Sequence, residues 1–189
     1  PASIVKELVV NSLDADATNI EVRSIAGGVE SLWVRDNGTG IHHDDLALAV
    51  ERHATSKIQQ AEDLMGVGSL GFRGEALASV ASVSRFKISS AQPDTDSGWY
   101  LESHGGRQIG AGPIAHNQGT SVEVWDLFYN TPARRKFLKA ERTENQQIDQ
   151  TLRRLSLAHM DVAFSLVQSR QQPSGNALGG NEPKRVRLS

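Results

Sequence analysis

The chain has 189 residues, 38% hydrophobic and 22% charged, with a formal net charge of -2 and no cysteine. That length supports one domain with a sizeable core. The charge excludes polyanion binding by bulk electrostatics, so any nucleic-acid contact has to come from a local patch, and the missing cysteine excludes a disulfide scaffold or a thiolate metal site.

In chain order, Pro1 suits a first helical turn, where its missing N–H costs nothing, and Ile4, Val5, Leu8, Val9 and Leu13 recur at helical spacing. Asn19 to Ser24 alternates as a strand, Gly27-Gly28 makes a turn, and Glu30 to Arg35 reads as the partner strand, ended by Asp36. Asp44 or Asp45 caps a helix running to about Arg52. Residues 53–70 are polar and glycine-punctuated and read as a mobile loop. Gly74 to Val83 reads as a helix and Arg85 to Ser90 as a strand. Residues 91–98 form a turn-rich excursion. Trp99 to Ser103 and Thr120 to Trp125 are strands, Glu144 to Ala158 is a helix, and Val162 to Val167 is a last strand. Ser169 to Pro183, rich in Gly, Gln, Asn and Pro, reads as loose. Hairpins mixed with helices favour an α+β sandwich over a doubly wound parallel sheet. No apolar run approaches the roughly 20 residues that span a bilayer. The chain lacks an initiator Met and enters a helix at once, so it reads as part of a longer polypeptide.

Four segments stand in an order that reads as a split nucleotide pocket. In the first, Glu7, Asn11 and Asp14 share one face of the opening helix, opposite most of its apolar residues. A carboxylate beside an amide oxygen suits a magnesium-dependent hydrolase: the carboxylate orients and deprotonates water, and the amide oxygen ligates the metal without adding charge. A solvated polar face carries the same pattern. In the second, Asp36-Asn-Gly-Thr-Gly40-Ile41, the glycines admit close backbone approach to a flat ligand. The acid accepts from an exocyclic amine, and Ile41 offers an apolar wall. A simple Asp-Asn-Gly turn is the alternative.

The third segment is Gly66, Gly68, Gly71 and Gly74 leading into Glu75-Ala76-Leu77. It reads as backbone N–H groups cradling phosphate at a helix start, or as a flexible connector. It is neither a Walker loop nor a dinucleotide fingerprint. Gly119-Thr120 is the fourth segment. Phe128 to Phe137 holds Arg134, Arg135 and Lys136 between aromatics. That is either a phosphate or nucleic-acid contact or a solvated charge run anchored by Phe128 and Phe137.

These residues carry a resemblance. From Pro1 to about Val167 the chain resembles the N-terminal ATPase domain of the MutL DNA mismatch-repair family, within the GHKL superfamily of gyrase, heat-shock chaperones and sensor histidine kinases. Glu7-Leu-Val-x-Asn11-Ser-Leu-Asp14-Ala15 and Asp36-Asn-Gly-x-Gly40-Ile41 are shared across the superfamily. Arg52-His-Ala-Thr55-Ser56-Lys57, Gly71 to Ser79 and Asp126 to Phe137 are much more specific to MutL.

The resemblance implies a two-layer α/β sandwich of the Bergerat type, with a mixed, mostly antiparallel sheet and helices on one face. It implies ATP and Mg²⁺ as ligands. Glu7 is then the general base and Asn11 the magnesium ligand. Asp36 reads the adenine amino group, with Gly40 and Thr120 nearby, and Asp14, Ala15 and Ile41 belong to the same pocket. His53 to Ser69, including Thr55, Ser56 and Lys57, forms a lid, while Leu70, Gly71, Phe72, Arg73, Gly74, Glu75, Ala76 and Leu77 wrap the phosphates. Residues 1–168 are implied to be the ATPase domain without its N-terminal arm, and 169–189 a loose tail leading towards a second subdomain. Val10 departs from the family pattern, which favours an acid there. The implied setting is the cytoplasm of a bacterium, in a parent that dimerises and contacts DNA and other mismatch-repair proteins, with slow turnover. A nucleotide-gated clamp whose output is partner binding is the alternative. This piece is expected to bind DNA weakly at best, through Arg134, Arg135 and Lys136.

Overall fold

The computed structural model describes residues 1–50, 76–170 and the strand 184–188. Helix α1 (Ala2–Asp14) leads into the hairpin β1 (Asn19–Ile25) and β2 (Ser31–Asp36), whose link is a short 3-10 turn at Ala26–Gly28. Helices α2 (Asp45–Val50) and α3 (Ala76–Ala81) flank the undescribed segment. They are followed by β3 (Arg85–Ala91), β4 (Gly98–His104), β5 (Arg107–Ile114), β6 (Gly119–Trp125), α4 (Pro132–Arg135), α5 (Glu141–Ala158), β7 (Ala163–Ser169) and β8 (Lys184–Leu188). One sheet holds all eight strands in the order β5-β4-β3-β6-β2-β1-β7-β8. Every pairing is antiparallel except β1 with β7, so the expected mixed, mostly antiparallel sandwich is what forms.

Strand alternation decides which face is covered. Ile20 and Val22, Leu32 and Val34, Phe86 and Ile88, Val122 and Val124, and Phe164 and Leu166 are all buried. They form one core with Val5, Leu8 and Val9 of α1, Val80 and Ala81 of α3, and Ile148 and Leu152 of α5. Fully burying one such side chain contributes roughly 1.5–3 kcal/mol, so this row holds the helices to the sheet. The opposite face is polar and aromatic: Arg23 sits 4.4 Å over the Trp33 ring, and Lys87 lies 5.2 Å from the Tyr100 ring.

Several elements depart from the sequence expectation. β5 carries no signal in the sequence, because Arg107-Gln-Ile-Gly-Ala-Gly-Pro-Ile is mostly exposed and shows no apolar alternation. It is an edge strand, where a proline and glycines are tolerated, and a two-residue Gly105-Gly106 turn with both φ positive (59° and 83°) sets its register with β4. Helix α5 starts at Glu141, a turn's breadth before the expected Glu144, whose side chain reaches back to accept the Lys139 N–H at 2.9 Å. The excursion expected over 91–98 is shorter, since Ala91 still pairs in β3 and Gly98 already pairs in β4. The tail expected to be loose includes β8, which pairs with β7 from Phe164↔Leu188 to Gln168↔Lys184. An open sheet edge offers backbone donors and acceptors to a returning segment whatever its composition. Residues 171–183 lie outside the described residues.

Candidate functional site

Three neighbouring strands meet at one end of the sheet beneath the C-terminal half of α1. β2 ends at Asp36, β3 ends at Ala91, and β6, antiparallel to both, begins at Gly119. Between them lies a cavity of about 90 Å³ lined by Leu8, Asn11, Ser12, Ala15, Val34, Asp36, Gly40, Ile41, Leu77, Ile88, Thr120 and Val122. That is well below the roughly 300–1,000 Å³ of a whole small-molecule pocket, so the described residues enclose only a small lobe. Its walls are mostly aliphatic, and its polar groups come from α1, β2 and β6.

Asp36 is the buried acid of this lobe, at 7% exposure. Its Oδ2 accepts from the Ser12 hydroxyl at 2.8 Å, and its Oδ1 accepts the N–H of Gly38 at 2.9 Å and of Thr120 at 3.1 Å. The Ser12 hydroxyl, with a single proton, also faces the Leu8 carbonyl at 3.2 Å. Asn37 belongs to the scaffold: its Oδ1 accepts the N–H of Thr18 and Asn19 at 2.9 and 2.8 Å, pinning the turn to the start of β1. The Thr39 N–H donates to the Ala15 carbonyl at 2.9 Å and closes the turn against the end of α1.

Two glycines are required by close approach. Gly40, at φ +71°, would place a Cβ 2.1 Å from the Ala91 carbonyl oxygen, and Gly119, at φ +111°, would place one 2.1 Å from the Asp36 carbonyl oxygen. Side chains at either position would drive apart the strand ends that form the lobe. Ser90 ties the same three pieces together: its hydroxyl accepts the Ile41 N–H at 2.8 Å, donates to the Gly119 carbonyl at 2.9 Å and meets the Thr120 hydroxyl at 2.9 Å.

The structure brings together most of the expected residues it describes. Asn11, Ala15, Asp36, Gly40, Ile41, Leu77 and Thr120 line the cavity. Glu7 does not; it is exposed on α1, one turn before Asn11. Asp14 is exposed on the same helix, and Ala76 is half-buried at the first residue of α3. Thr55, Ser56, Lys57, Leu70, Gly71, Phe72, Arg73, Gly74 and Glu75, with the expected lid, lie outside the described residues.

Sequence reasoning missed Ser12 and Ser90, although both left a signal. Each is a polar residue at an inward position, Ser12 four residues after Leu8 on the helix and Ser90 in register with Phe86 and Ile88 on the strand. The basic run is only half anchored: Phe128 packs against the core, but Phe137 is 86% exposed beside exposed Arg134, Arg135 and Lys136. Proline at the first turn and one helical turn over Pro132–Arg135 leave those cations in solvent.

Nearby, His116 Nε2 accepts from the Ser121 hydroxyl at 2.8 Å while Nδ1 faces the Asn117 carbonyl at 2.6 Å. Burial pushes its pKa down, against the Asn117 hydrogen bond, with Arg35 lowering it further and Asp36 opposing. On the sheet face opposite the described helices, burial pushes the Glu123 carboxyl up, opposed by Lys87 and reinforced by Glu102.

Comparison with known proteins places this geometry. The profile of the family described as histidine kinase-, DNA gyrase B-, and HSP90-like ATPase matches residues 1–123. The DNA mismatch repair protein MutL of Pseudomonas entomophila is 58% identical over 167 residues, covering 88% of this chain and 26% of that protein. MutL of Azotobacter vinelandii is 50% identical over 188 residues, covering 99% of this chain and 29% of that protein. The chain thus spans about a quarter of the length of the curated relatives it matches. Among solved structures, the Aquifex aeolicus MutL ATPase domain complexed with ADP superposes with a TM-score of 0.74 at 37% identity, over 89% of this chain and 59% of that one. By its profile match and its sheet, the chain belongs to the histidine kinase-, DNA gyrase B- and HSP90-like ATPase family, and within it is similar to MutL.

Proposed function

We propose that this chain binds Mg²⁺·ATP in the strand-end cavity and hydrolyses ATP slowly, as the N-terminal ATPase core of a MutL-type DNA mismatch-repair protein. The observation that carries this reading is Asp36, a buried carboxylate held by three donors at the base of an aliphatic-walled lobe. Such a group is suited to accept from the exocyclic amine of a flat base while the aliphatic walls pack on its faces. The ADP complex of the similar Aquifex aeolicus domain supports the nucleotide assignment.

The donor set fits the expected metal. Asn11 is half-buried and lines the cavity, and a neutral amide oxygen suits a hard cation that keeps phosphate and water as its other ligands. Magnesium bound there would neutralise phosphate charge. The chain's own residues do the rest. Asp36, Thr120 and the Gly40 turn orient the base; Leu8, Ile41, Leu77 and Ile88 exclude water from it. Glu7, one helical turn from Asn11 and open to solvent, would hold a water and take its proton. Chemistry of this kind is mainly positioning and charge stabilisation, which accords with slow turnover.

The parent protein is proposed to act as a dimer that contacts DNA and other repair proteins. Arg134, Arg135 and Lys136 would add weak, sequence-independent DNA contact from this piece.

Calorimetric titration with ATP, with and without Mg²⁺, tests the binding half. Binding that depends on Mg²⁺ and is lost in Asn11→Ala is expected; absence of binding overturns the reading. Phosphate release tests the chemistry. Glu7→Ala is expected to keep ATP affinity while losing about 100-fold or more in rate, and hydrolysis at the parent rate removes Glu7 from the base role.

A further inference from the structure

We propose that His42, His43 and Asp44 form a surface site for a divalent transition ion, with Zn²⁺ as the reference case, separate in chemistry from the Mg²⁺·ATP site. The three residues follow Ile41 in the turn before α2, and the Asp45 N–H donates to the His42 carbonyl at 3.0 Å, closing that turn. The turn gathers consecutive side chains: the two imidazole centroids are 4.1 Å apart, and one donor atom from each of the three residues lies within 4.8 Å of the others. An Asp44 oxygen is 3.5 Å from His42 Nδ1, and the other is 3.2 Å from His43 Nε2. In a tetrahedral site with bonds of about 2.0–2.1 Å, neighbouring ligands stand about 3.3 Å apart. Those two separations, one to each Asp44 oxygen, lie close to that edge.

Stability does not account for the grouping. All three residues are exposed, and exposed ion pairs contribute at most about 1 kcal/mol. The donor nitrogen of His42 is already turned inward, accepting the Asp44 N–H over a long 3.4 Å contact that a metal bond would replace. His43 rests 5.6 Å from the Trp99 ring, and Trp99 packs against the core, so one ligand has a fixed wall. Two imidazoles and one carboxylate, with a fourth position open to water, favour zinc, nickel or copper; magnesium prefers oxygen donors alone.

The site is tested by titrating the chain with Zn²⁺ in a non-coordinating buffer by calorimetry, in the presence of excess Mg²⁺. Saturable one-to-one binding is expected, unchanged by Mg²⁺. It should weaken roughly tenfold or more in His42→Ala, His43→Ala and Asp44→Asn and hold in His104→Ala. As an independent readout, Ni²⁺ should quench tryptophan fluorescence with the same affinity order, and the quench should be largely lost in Trp99→Phe. Non-saturable Zn²⁺ binding, or an affinity unchanged in His43→Ala, overturns the proposal. Neither readout involves nucleotide, so failure here leaves the ATPase reading untouched, and failure of that reading leaves the metal site standing.

Discussion

Substituting Asp36 in two ways separates its role as an acceptor from its role as a charge. Asp36→Ala removes the partner of three donors, the Ser12 hydroxyl and the N–H groups of Gly38 and Thr120. The hydroxyl can turn fully to the Leu8 carbonyl 3.2 Å away, so two backbone donors bear the loss. Each unsatisfied buried donor costs about 1–3 kcal/mol, giving about 2–6 kcal/mol for the variant. Asp36→Asn keeps one oxygen for both N–H groups and turns an amide towards Ser12, whose hydroxyl accepts from it and donates to Leu8. That exchange costs about 1 kcal/mol. Urea unfolding resolves the two cases: with an m-value of about 1–3 kcal/mol/M, the alanine variant should unfold at a midpoint lower than the asparagine variant's by about 0.3 M or more at constant m. Both should lose ATP affinity, because the amide offers a donor where the base amine needs an acceptor. Equal destabilisation by Asn and Ala would refute the acceptor argument and assign the stabilisation to charge.

Gly40→Ala should destabilise by more than about 2 kcal/mol, since the new Cβ would stand 2.1 Å from the Ala91 carbonyl at φ +71°; a thermal melt near the parent's would contradict this. Glu123→Gln should stabilise at neutral pH. The folded pKa lies above 4.5, so the native state holds the proton more tightly than the unfolded chain, and the charged carboxylate costs stability as pH rises through that raised value. The gain of the variant should vanish below pH 4.5, which melts taken on both sides of that value will show. Neutralising Arg134, Arg135 and Lys136 together should flatten the salt dependence of any DNA binding by this chain; an unchanged slope excludes the patch.

The legible parts of the sequence were those where one physical cause acts alone. β1, β2, β3 and β6 were readable because burial on a single face writes a two-residue period, as in Ile20-x-Val22 and Leu32-x-Val34. β5 sits where backbone pairing, with little help from apolar side chains, makes the strand, so no period marks it in advance, and Lys184-Arg185-Val186-Arg187-Leu188 is too short a run to mark β8. In the site, Asp36 and Gly40 stand in a motif whose chemistry is local and were found. Ser12 and Ser90 show in the sequence only as polar residues at inward positions; their partners, 24 and 29 residues away, become visible only once helix and strands are in place.

The placement of the site makes one further demand. Asp36, Ser90 and Gly119 stand at the termini of three adjacent strands, where ladder bonding runs out and side chains must satisfy the leftover backbone groups. The residues that shape the lobe therefore also terminate the sheet, and their substitution should lower stability and ligand affinity together. Glu7, on the exposed flank of α1, and Asn11, half-buried at the cavity margin, hold no strand end in place. Their alanine variants should change nucleotide chemistry or affinity while moving the unfolding free energy little, within the ±0.5 kcal/mol usual for surface substitutions at Glu7 and by about 1 kcal/mol at most at half-buried Asn11. Measured side by side, Ser90→Ala should move both quantities, whereas Glu7→Ala and Asn11→Ala should each move only the nucleotide readout. If Ser90→Ala abolishes binding with no loss of stability, the serine touches ligand instead of bracing strands, and the site extends further along β3 than the cavity indicates.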